Sequence, residues 1–175
     1  MALKVYDDAL SNSVCNSIID IFEKNPDHQQ HIDNNKCPCF TQVNINEISG
    51  NIVQFLIPFV KEVHDRYKRD IDNRFCPSFN SLEEFRIKRY NTSGDEKFNE
   101  HIDVTRKETS IRSLAFLFYL NDNDGNTVFP RQDLIITPTP GRVVVFPPFW
   151  EYPHAGLPPT NNSKYIMSTY IHYDS

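Results

Sequence analysis

Hydrophobic residues are spaced differently in the two parts of the chain. Up to about residue 70 they recur every three or four positions, whereas beyond residue 82 they form short runs separated by Pro, Gly, Asn and Asp. The first spacing is typical of amphipathic helices, and the second is typical of short strands bounded by turns. Helices followed by many short strands predict an α+β fold whose core is a sandwich or a barrel.

The N-terminal part predicts two helices. Residues 12–24 carry an apolar stripe, and Ser11 or Ser13 could cap this helix at its N-terminus. A longer stripe runs over residues 46–70, where Pro58 is expected to kink or split the helix because its ring blocks one backbone hydrogen bond. We expect both helices to pack against the sheet that the rest of the chain forms.

The segment between the helices, residues 27–43, is polar and contains Pro38. It is predicted to be a loop with a short strand near residues 40–43. Cys37 and Cys39 lie in this segment, and their spacing is too tight for a paired-cysteine zinc site. Because the first residues do not resemble a secretion signal, all four cysteines are expected to be free thiols.

The C-terminal part contains seven candidate strands. They span residues 84–90, 97–102, 111–120, 127–129, 134–137, 142–146 and 165–173. The sequence has no internal repeat, low-complexity segment or linker. We therefore assign one domain to residues 1–175, with the helices within about 12–70 and the strand-rich core within about 82–175.

Composition excludes several classes of protein. The 175 residues suffice for one domain with a sizeable core, and a 13% aromatic content favours strands. A net charge of −5 argues against a nucleic-acid partner. No window approaches the roughly eighteen apolar residues of a membrane span, and the N-terminus lacks the basic and apolar regions of a signal peptide. We therefore expect a cytoplasmic protein without membrane contact.

Three residues on the predicted strands have the chemistry of metal ligands. His101 and Asp103 are two positions apart, so an extended strand projects both side chains from the same face. This pair alone carries little information, but His154 follows another predicted strand. Two histidines and one carboxylate on β structure form the ligand set of non-haem iron(II) sites that keep open coordination positions.

Lys164 begins the last predicted strand, in which both faces are largely apolar. It shares one face with Ile166, Ser168 and Tyr170. A lysine on a strand covered on both sides is costly to bury without a partner. That partner could be a protein carboxylate, solvent at the strand end, or the carboxylate of a bound ligand such as a 2-oxo acid.

Together these residues resemble the 2-oxoglutarate and Fe(II)-dependent dioxygenase superfamily, and within it the prolyl 4-hydroxylase-like group. The matching motifs, in chain order, are Arg89-Tyr90, Phe98-x-x-His101-x-Asp103, Phe118-Tyr119-Leu120-Asn121-Asp122, Gly125-Asn126-Thr127-Val128-Phe129, Pro140-Gly141-Arg142-Val143-Val144-Val145-Phe146, His154-Ala155-Gly156 and Lys164-Tyr165. They cover about half of the chain. The turn that commonly reads Gly-Gly-Glu-Thr in the group is Asp124-Gly125-Asn126-Thr127 here, which keeps the threonine.

The resemblance implies a fold and a set of ligands. The fold is a double-stranded β-helix, or jelly roll, with supporting N-terminal helices. His101, Asp103 and His154 would be the iron ligands, and Lys164 would pair with the distal carboxylate of 2-oxoglutarate. Because the carboxylate of Asp103 is present, where related halogenases lack it, the resemblance favours hydroxylation.

The resemblance also suggests further contacts, each with a structural alternative. Tyr90, Tyr119 and Thr127 match positions that line the 2-oxoglutarate pocket in related enzymes, although packing in a β core explains them equally well. Trp150 is a candidate for the substrate rim or for the aromatic core. Arg106 could touch the substrate or remain a solvated charge.

The activity that the resemblance implies is hydroxylation of an unactivated C–H bond, coupled to oxidative decarboxylation of 2-oxoglutarate. The implied cofactors and co-substrates are Fe(II), 2-oxoglutarate and O2, and ascorbate stays open as an addition. A prolyl residue of a peptide or protein is the preferred substrate. The alternatives are a free amino acid or other small molecule, a cupin-type metalloenzyme that does not use 2-oxoglutarate, and a non-enzymatic jelly-roll binding protein.

Overall fold

Two antiparallel sheets and two helices make up the part of the chain that the computed structural model describes, namely residues 1–34, 37–72, 74 and 76–173. The helices are α1 (Asn12–Lys24) and α2 (Gly50–Asp70). The strands are β1 (Lys4–Tyr6), β2 (Gln30–Asp33), β3 (Cys39–Asn44), β4 (Ser81–Leu82), β5 (Arg86–Tyr90), β6 (Phe98–His101), β7 (Arg112–Tyr119), β8 (Thr127–Phe129), β9 (Leu134–Ile136), β10 (Val143–Phe146), β11 (His154–Gly156) and β12 (Lys164–His172).

The strands form a large and a small sheet that pack against each other. The large sheet has the order β1-β10-β7-β12-β5-β3-β2, with β4 also paired to β12, and the small sheet has the order β6-β11-β8-β9. Buried residues of both sheets, among them Phe129, Phe146 and Ile166, share one hydrophobic cluster. Two such sheets, closed face to face with helices on one side, form the jelly-roll core of an α+β chain, which confirms the predicted fold class.

The large sheet is covered on both faces. In β10, Val143 and Val145 belong to the cluster that includes the helices, whereas Val144 and Phe146 belong to the cluster between the sheets. Successive side chains of a strand point to opposite faces, so each face of β10 buries two residues. This explains why the strand reads as an uninterrupted apolar run. The last strand, β12, is covered in the same way, as its sequence predicted.

Both helices pack on the outer face of the large sheet. The hydroxyl of Ser11 caps α1 by accepting a hydrogen bond from the backbone N–H of Val14 at 3.3 Å. Pro58 does not split α2, which continues through it. The ring of Pro58 lies on the exposed side of the helix, so it removes one hydrogen bond and displaces nothing in the core. Within the described residues, no helix is long and apolar enough to cross a membrane.

The structure corrects the sequence-based prediction at short strands with weak patterns. The segment predicted as a loop before residue 40 contains β2, whose residues are mostly exposed and pair with β3 through the backbone. The three-residue strand β11 lies within a proline-rich region that gave no strand signal. Cys37 lies outside the strands, where its sulfur accepts a hydrogen bond from the backbone N–H of Asn99 at 2.8 Å, and Cys39 opens β3. The assignment of one domain to residues 1–175 stays a prediction.

Gly141 packs against the backbone that precedes α1. It has a positive φ of +80°, and a Cβ at this position would overlap the carbonyl oxygen of Leu10. Gly94 has nearly the same φ, +82°, but a Cβ there would meet no atom within 4 Å. The two glycines therefore separate the cost of backbone conformation from the cost of a steric clash.

We predict that Gly141→Ala destabilises the protein much more than Gly94→Ala. The positive φ costs an alanine about 1 kcal/mol at either site, and the clash with Leu10 adds about 2 kcal/mol at residue 141. Urea unfolding of both variants measures the difference. Equal losses of unfolding free energy would show that the Leu10 backbone moves away without cost.

Candidate metal centre

His101 and His154 face each other across the small sheet. His101 ends β6, His154 begins β11, and the two residues are direct partners in the antiparallel register. Asp103 follows β6 in a bend, one residue beyond the strand end that the sequence predicted. The Nε2 atoms of His101 and His154 lie 3.4 Å and 3.9 Å from Oδ1 of Asp103. The three side chains, which we call the ligand trio, each offer one ligand atom within 4.8 Å of the others.

Backbone carbonyls fix how the two imidazoles are protonated. Nδ1 of His101 lies 2.8 Å from the carbonyl oxygen of Asn99, and Nδ1 of His154 lies 3.2 Å from that of Tyr152. A carbonyl oxygen only accepts, so each Nδ1 donates a proton and each neutral ring keeps its lone pair on Nε2. Both lone pairs are therefore on the nitrogen atoms that face Asp103, as metal ligation requires.

Aromatic rings hold the imidazoles in place. The ring of Phe98 stacks on that of His101 with centroids 3.5 Å apart. The rings of Phe129 and Phe146 lie 5.2 Å and 4.9 Å from that of His154. Because these rings restrict both histidines, the ligand trio is largely set before any ion binds.

The charges within the ligand trio suit a divalent cation. In the metal-free site burial disfavours the ionised form of Asp103, but the hydrogen bond that His101 donates when Nε2 holds a proton, together with the attraction of His154, His101 and Lys88, outweighs burial and lowers the pKa of Asp103 to about 2. A bound cation would take the place of that proton. Burial also lowers the pKa of His154, which keeps this imidazole neutral. An ionised carboxylate beside a neutral imidazole is the protonation state that binds a metal.

A small cavity of about 50 Å³ adjoins the ligand trio, and we call it the enclosed cavity because most of its lining residues are buried. Three of the predicted 2-oxoglutarate contacts line it, namely Tyr90, Thr127 and Lys164. Lys164 is only 2% exposed. Its Nζ donates hydrogen bonds to the carbonyl oxygens of Gly125 and Leu157, both at 2.9 Å, and lies 4.5 Å from the centre of the Tyr90 ring.

These contacts narrow the choice between the partners considered for Lys164. Within the described part of the chain it forms no ion pair, and its burial rules out solvent. Burial lowers the pKa of its ammonium group to about 8. Lys164 is thus a buried cation beside a cavity, and both of its hydrogen-bond acceptors are neutral. A ligand carboxylate would supply the negative charge that the cation lacks.

The remaining predicted contacts lie in different environments. Tyr119 is fully buried and does not line the cavity. Burial raises the pKa of its hydroxyl group. This hydroxyl lies beside Thr127 but has no well-aligned hydrogen-bond partner among the described residues. Trp150 is 64% exposed and lines neither this cavity nor the one next to it. Arg106 lines that second cavity.

The second cavity, of about 330 Å³, is lined by Asp103 but not by Lys164. It shares six lining residues with the enclosed cavity: Lys88, Phe98, His101, Asp103, Ser168 and Tyr170. Arg106 and Arg112 also line it, whereas Lys164 and Tyr90 do not. The second cavity therefore reaches the ligand trio and extends away from Lys164.

Two residues of the site were missed from the sequence. Lys88 lines both cavities, and strand alternation could have revealed it, because it lies two positions before Tyr90 on the same face of β5. Arg112 donates a hydrogen bond from Nη1 to the carbonyl oxygen of Asp103 at 3.0 Å and pairs with Glu83. Contacts that join such distant positions leave no local signal in the sequence.

The fold and the ligand trio together define a class of protein. A jelly roll with two histidines and one carboxylate at its opening has the ligand set of the non-haem iron(II) oxygenases. The family model of the 2OG-Fe(II) oxygenase superfamily matches residues 85–172, which is half of the chain and includes the ligand trio and Lys164. The chain belongs to this superfamily. It is a 2-oxoglutarate-dependent dioxygenase, with Fe(II), 2-oxoglutarate and O2 as its cofactors and co-substrates.

Prolyl hydroxylases are among the solved structures with the same fold. The viral collagen prolyl hydroxylase of Paramecium Bursaria Chlorella virus-1, solved as a 2OG complex, is 20% identical with a TM-score of 0.76, over 99% of this chain and 97% of that one. A prolyl-4-hydroxylase of Pseudomonas putida is 14% identical with a TM-score of 0.75, over 99% and 94%.

A third similar structure is a prolyl hydroxylase from Trichoplax adhaerens, solved in complex with a hypoxia inducible factor oxygen degradation domain peptide fragment. It is 15% identical with a TM-score of 0.76, over 98% of this chain and 83% of that one. The fold is therefore prolyl 4-hydroxylase-like. No curated protein matches the sequence.

We predict that a divalent ion such as Mn²⁺ stabilises the wild-type protein through the ligand trio. An ion that binds only the folded state, at one hundred times its Kd, should add about 3 kcal/mol to the free energy of unfolding. Thermal unfolding with and without Mn²⁺ measures this. Asp103→Asn and His101→Ala should lose the stabilisation, and His28→Ala, outside the trio, should keep it. Equal stabilisation of all four proteins would place the ion elsewhere.

Proposed function

We propose that this dioxygenase hydroxylates an unactivated C–H bond, and that its substrate is a prolyl residue of a peptide or protein. The observation that carries the proposal is the convergence of the ligand trio and Lys164 on one enclosed cavity. Each group alone has a structural explanation. Their convergence supports a metal at one end of a 2-oxo acid and a cation at the other.

The ligand trio fits Fe(II). His101, Asp103 and His154 would hold the ion, because both Nε2 lone pairs and the carboxylate point to one place. Three protein ligands leave open positions for a chelating co-substrate and O2. Bound Fe(II) and 2-oxoglutarate supply the oxidising chemistry that converts the co-substrate to succinate and CO2 and transfers one oxygen atom to carbon. The protein supplies the position and the exclusion of water.

Lys164 fits the distal carboxylate of 2-oxoglutarate. Two of its three ammonium protons are directed to the carbonyls of Gly125 and Leu157, which leaves one donor and a full positive charge for a ligand. Tyr90 and Thr127 line the same cavity, so their hydroxyl groups can orient that carboxylate. The buried hydroxyl of Tyr119 lies beside Thr127.

The second cavity supports a substrate site. It reaches His101 and Asp103 and extends past Arg106, so a substrate lying in it would present a C–H bond to the metal. A peptide substrate is supported by the likeness to a prolyl hydroxylase that was solved with a peptide. A free amino acid or other small molecule is the second candidate, because the volume of about 330 Å³ suits a small ligand. Membership of the superfamily speaks against a cupin-type enzyme that does not use 2-oxoglutarate.

We predict that the iron-loaded enzyme forms succinate from 2-oxoglutarate and adds about 16 Da to a proline-containing substrate. A library of proline-containing peptides and free amino acids, analysed by mass spectrometry, measures both products. His101→Ala should abolish both, because one ligand is lost, and His28→Ala should not. If the wild-type enzyme consumes no 2-oxoglutarate with any member of the library, the proposed reaction is wrong for these substrates.

We also predict that 2-oxoglutarate binds more weakly as the pH rises through 8. Lys164 has a pKa of about 8 in the folded protein, so it is charged below this pH and neutral above it. Loss of the ion pair should weaken affinity about tenfold at pH 9. Calorimetric titration of Mn²⁺-loaded protein under anaerobic conditions measures the affinity.

Two variants serve as controls for this pH dependence. Lys164→Arg keeps its charge and should bind with little change across this range, since a guanidinium titrates only above about pH 12. Lys88→Met should retain the wild-type pH dependence. Should Lys164→Arg weaken with pH as the wild type does, another group governs the binding.

A further inference from the structure

Lys88 is a second cation in the site, and the proposed reaction does not use it. It lies on β5 directly opposite Ile166 of β12, and the next residue on the same face, Tyr90, is opposite Lys164. Residues opposite each other in an antiparallel pair project to the same side. Lys88 and Lys164 therefore come from neighbouring strands and face the same interior.

Lys88 has no counter-charge of its own. Within the described residues it forms no hydrogen bond or ion pair, and its Nζ lies 5.3 Å from the centre of the Phe40 ring. The two carboxylates that act on it electrostatically are Asp103 and Glu83. Both are already engaged, Asp103 in the ligand trio and Glu83 in a network of cations.

The hydrogen-bond donors around Glu83 saturate its carboxylate. It accepts hydrogen bonds from Arg112 at 2.6 Å and 2.7 Å, from Arg86 at 3.0 Å and from His172 at 3.1 Å. Four donors fill the lone pairs of a carboxylate. Glu83 has no capacity left to neutralise Lys88.

The charges of the loaded site leave Lys88 uncompensated. The two positive charges of Fe(II) and the one of Lys164 would be balanced by Asp103 and the two carboxylates of 2-oxoglutarate. Lys88, whose side chain is half-buried, then remains as one positive charge that lines both cavities with no negative partner. A partly desolvated charge without a partner is costly, so the loaded site favours a ligand that brings one negative charge.

The position of Lys88 indicates which bound molecule would bring this negative charge. Lys88 lines both the enclosed cavity and the second cavity, whereas Lys164 lines only the enclosed one. Its side chain is therefore in contact with the cavity in which the substrate would lie. The second cavity also holds Arg106, for which the described residues provide no ion-pair partner, and the hydroxyl groups of Ser168 and Tyr170.

We propose that Lys88 binds a carboxylate of the substrate and so makes the enzyme selective for anionic substrates. This inference rests on the proposed function, since it assigns the second cavity to the substrate. Two parts of a substrate carry a carboxylate group that Lys88 would bind in the same way. One is the terminal carboxylate of a free amino acid or of a peptide, and the other is an Asp or Glu side chain next to the target residue.

A purely structural role for Lys88 predicts something different. If Lys88 only supported the charge of Asp103, its loss would change metal binding and would affect neutral and anionic ligands equally. A carboxylate subsite instead predicts an effect on anionic ligands alone. Metal affinity and ligand selectivity therefore separate the two roles.

The test measures binding to wild-type protein loaded with Zn²⁺ and the redox-inert 2-oxoglutarate analogue N-oxalylglycine, so it does not depend on turnover. Calorimetry compares matched pairs: L-proline with prolinamide, a Gly-Pro-Gly peptide with a free or an amidated C-terminus, and amidated peptides with Pro-Glu or Pro-Gln. Acetate and propionate, with their amides, serve as probes that need no correct substrate. The proteins are the wild type, Lys88→Met, Lys88→Arg and Lys61→Met, the last of which removes an exposed charge elsewhere.

The expected result is that at least one carboxylate binds about tenfold or more tightly than its amide, as a charge-assisted hydrogen bond provides. Lys88→Met should abolish this preference, Lys88→Arg should keep most of it, and Lys61→Met should not change it. The member of the series with the largest preference identifies the source of the carboxylate. The affinities for Zn²⁺ and N-oxalylglycine should stay within a few-fold of wild type in all variants.

Two outcomes would overturn the proposal. One is that no carboxylate, including acetate and propionate, binds better than its amide. The other is that the preference survives in Lys88→Met, or that this variant loses Zn²⁺ affinity instead. Failure of the proposed function has a different signature, namely that N-oxalylglycine and 2-oxoglutarate do not bind to the wild type.

Discussion

The pairing of His101 with His154 across β6 and β11 is the contact on which the rest of the site depends. The two histidines are adjacent because the backbones of two short strands are paired there, not because their side chains attract each other. Strands of four and three residues have little stability of their own. They are held by the small sheet, whose Phe129 and Ile136 pack against Val144 and Phe146 of the large sheet. The geometry of the centre is thus a consequence of the jelly-roll core.

The interior that results carries an unusual set of charges. Asp103, Lys164 and Lys88 all lie in or beside the enclosed cavity, and the pKa of each lysine is lowered to about 8 by burial. A fold gains nothing in stability from buried cations without partners. Their cost is offset only when ligands supply the missing charges. The free protein is therefore arranged for a loaded state, in which a cation and anionic ligands neutralise one another.

Some of this was predictable from the sequence and some was not. The helix cap at Ser11 and the seven strands after residue 82 follow from periodicity and residue chemistry, which act locally. The spacing of His101 and Asp103 is also local, whereas the convergence of His154 with them was predicted from the ligand set and the resemblance to the superfamily. The edge strand β2 escaped notice because its polar side chains carry no pattern, and the pairing that creates it is made by the backbone. The strand β11 is too short to show periodicity.

Lys88 and Arg112 were not predicted as site residues for another reason. Their neighbours in the site are residues far away in the sequence. Arg112 donates a hydrogen bond to the carbonyl oxygen of Asp103, lies 4.0 Å over the ring of Tyr170 and pairs with Glu83, so one side chain joins the bend after β6 to three other parts of the large sheet. The bend that positions Asp103 is thereby fixed by a charged network and not by its own sequence. The same network occupies Glu83 and withholds it from Lys88. The contacts that orient Asp103 thus also leave a positive charge facing the second cavity, and under the proposed function this links the construction of the metal centre to the choice of substrate.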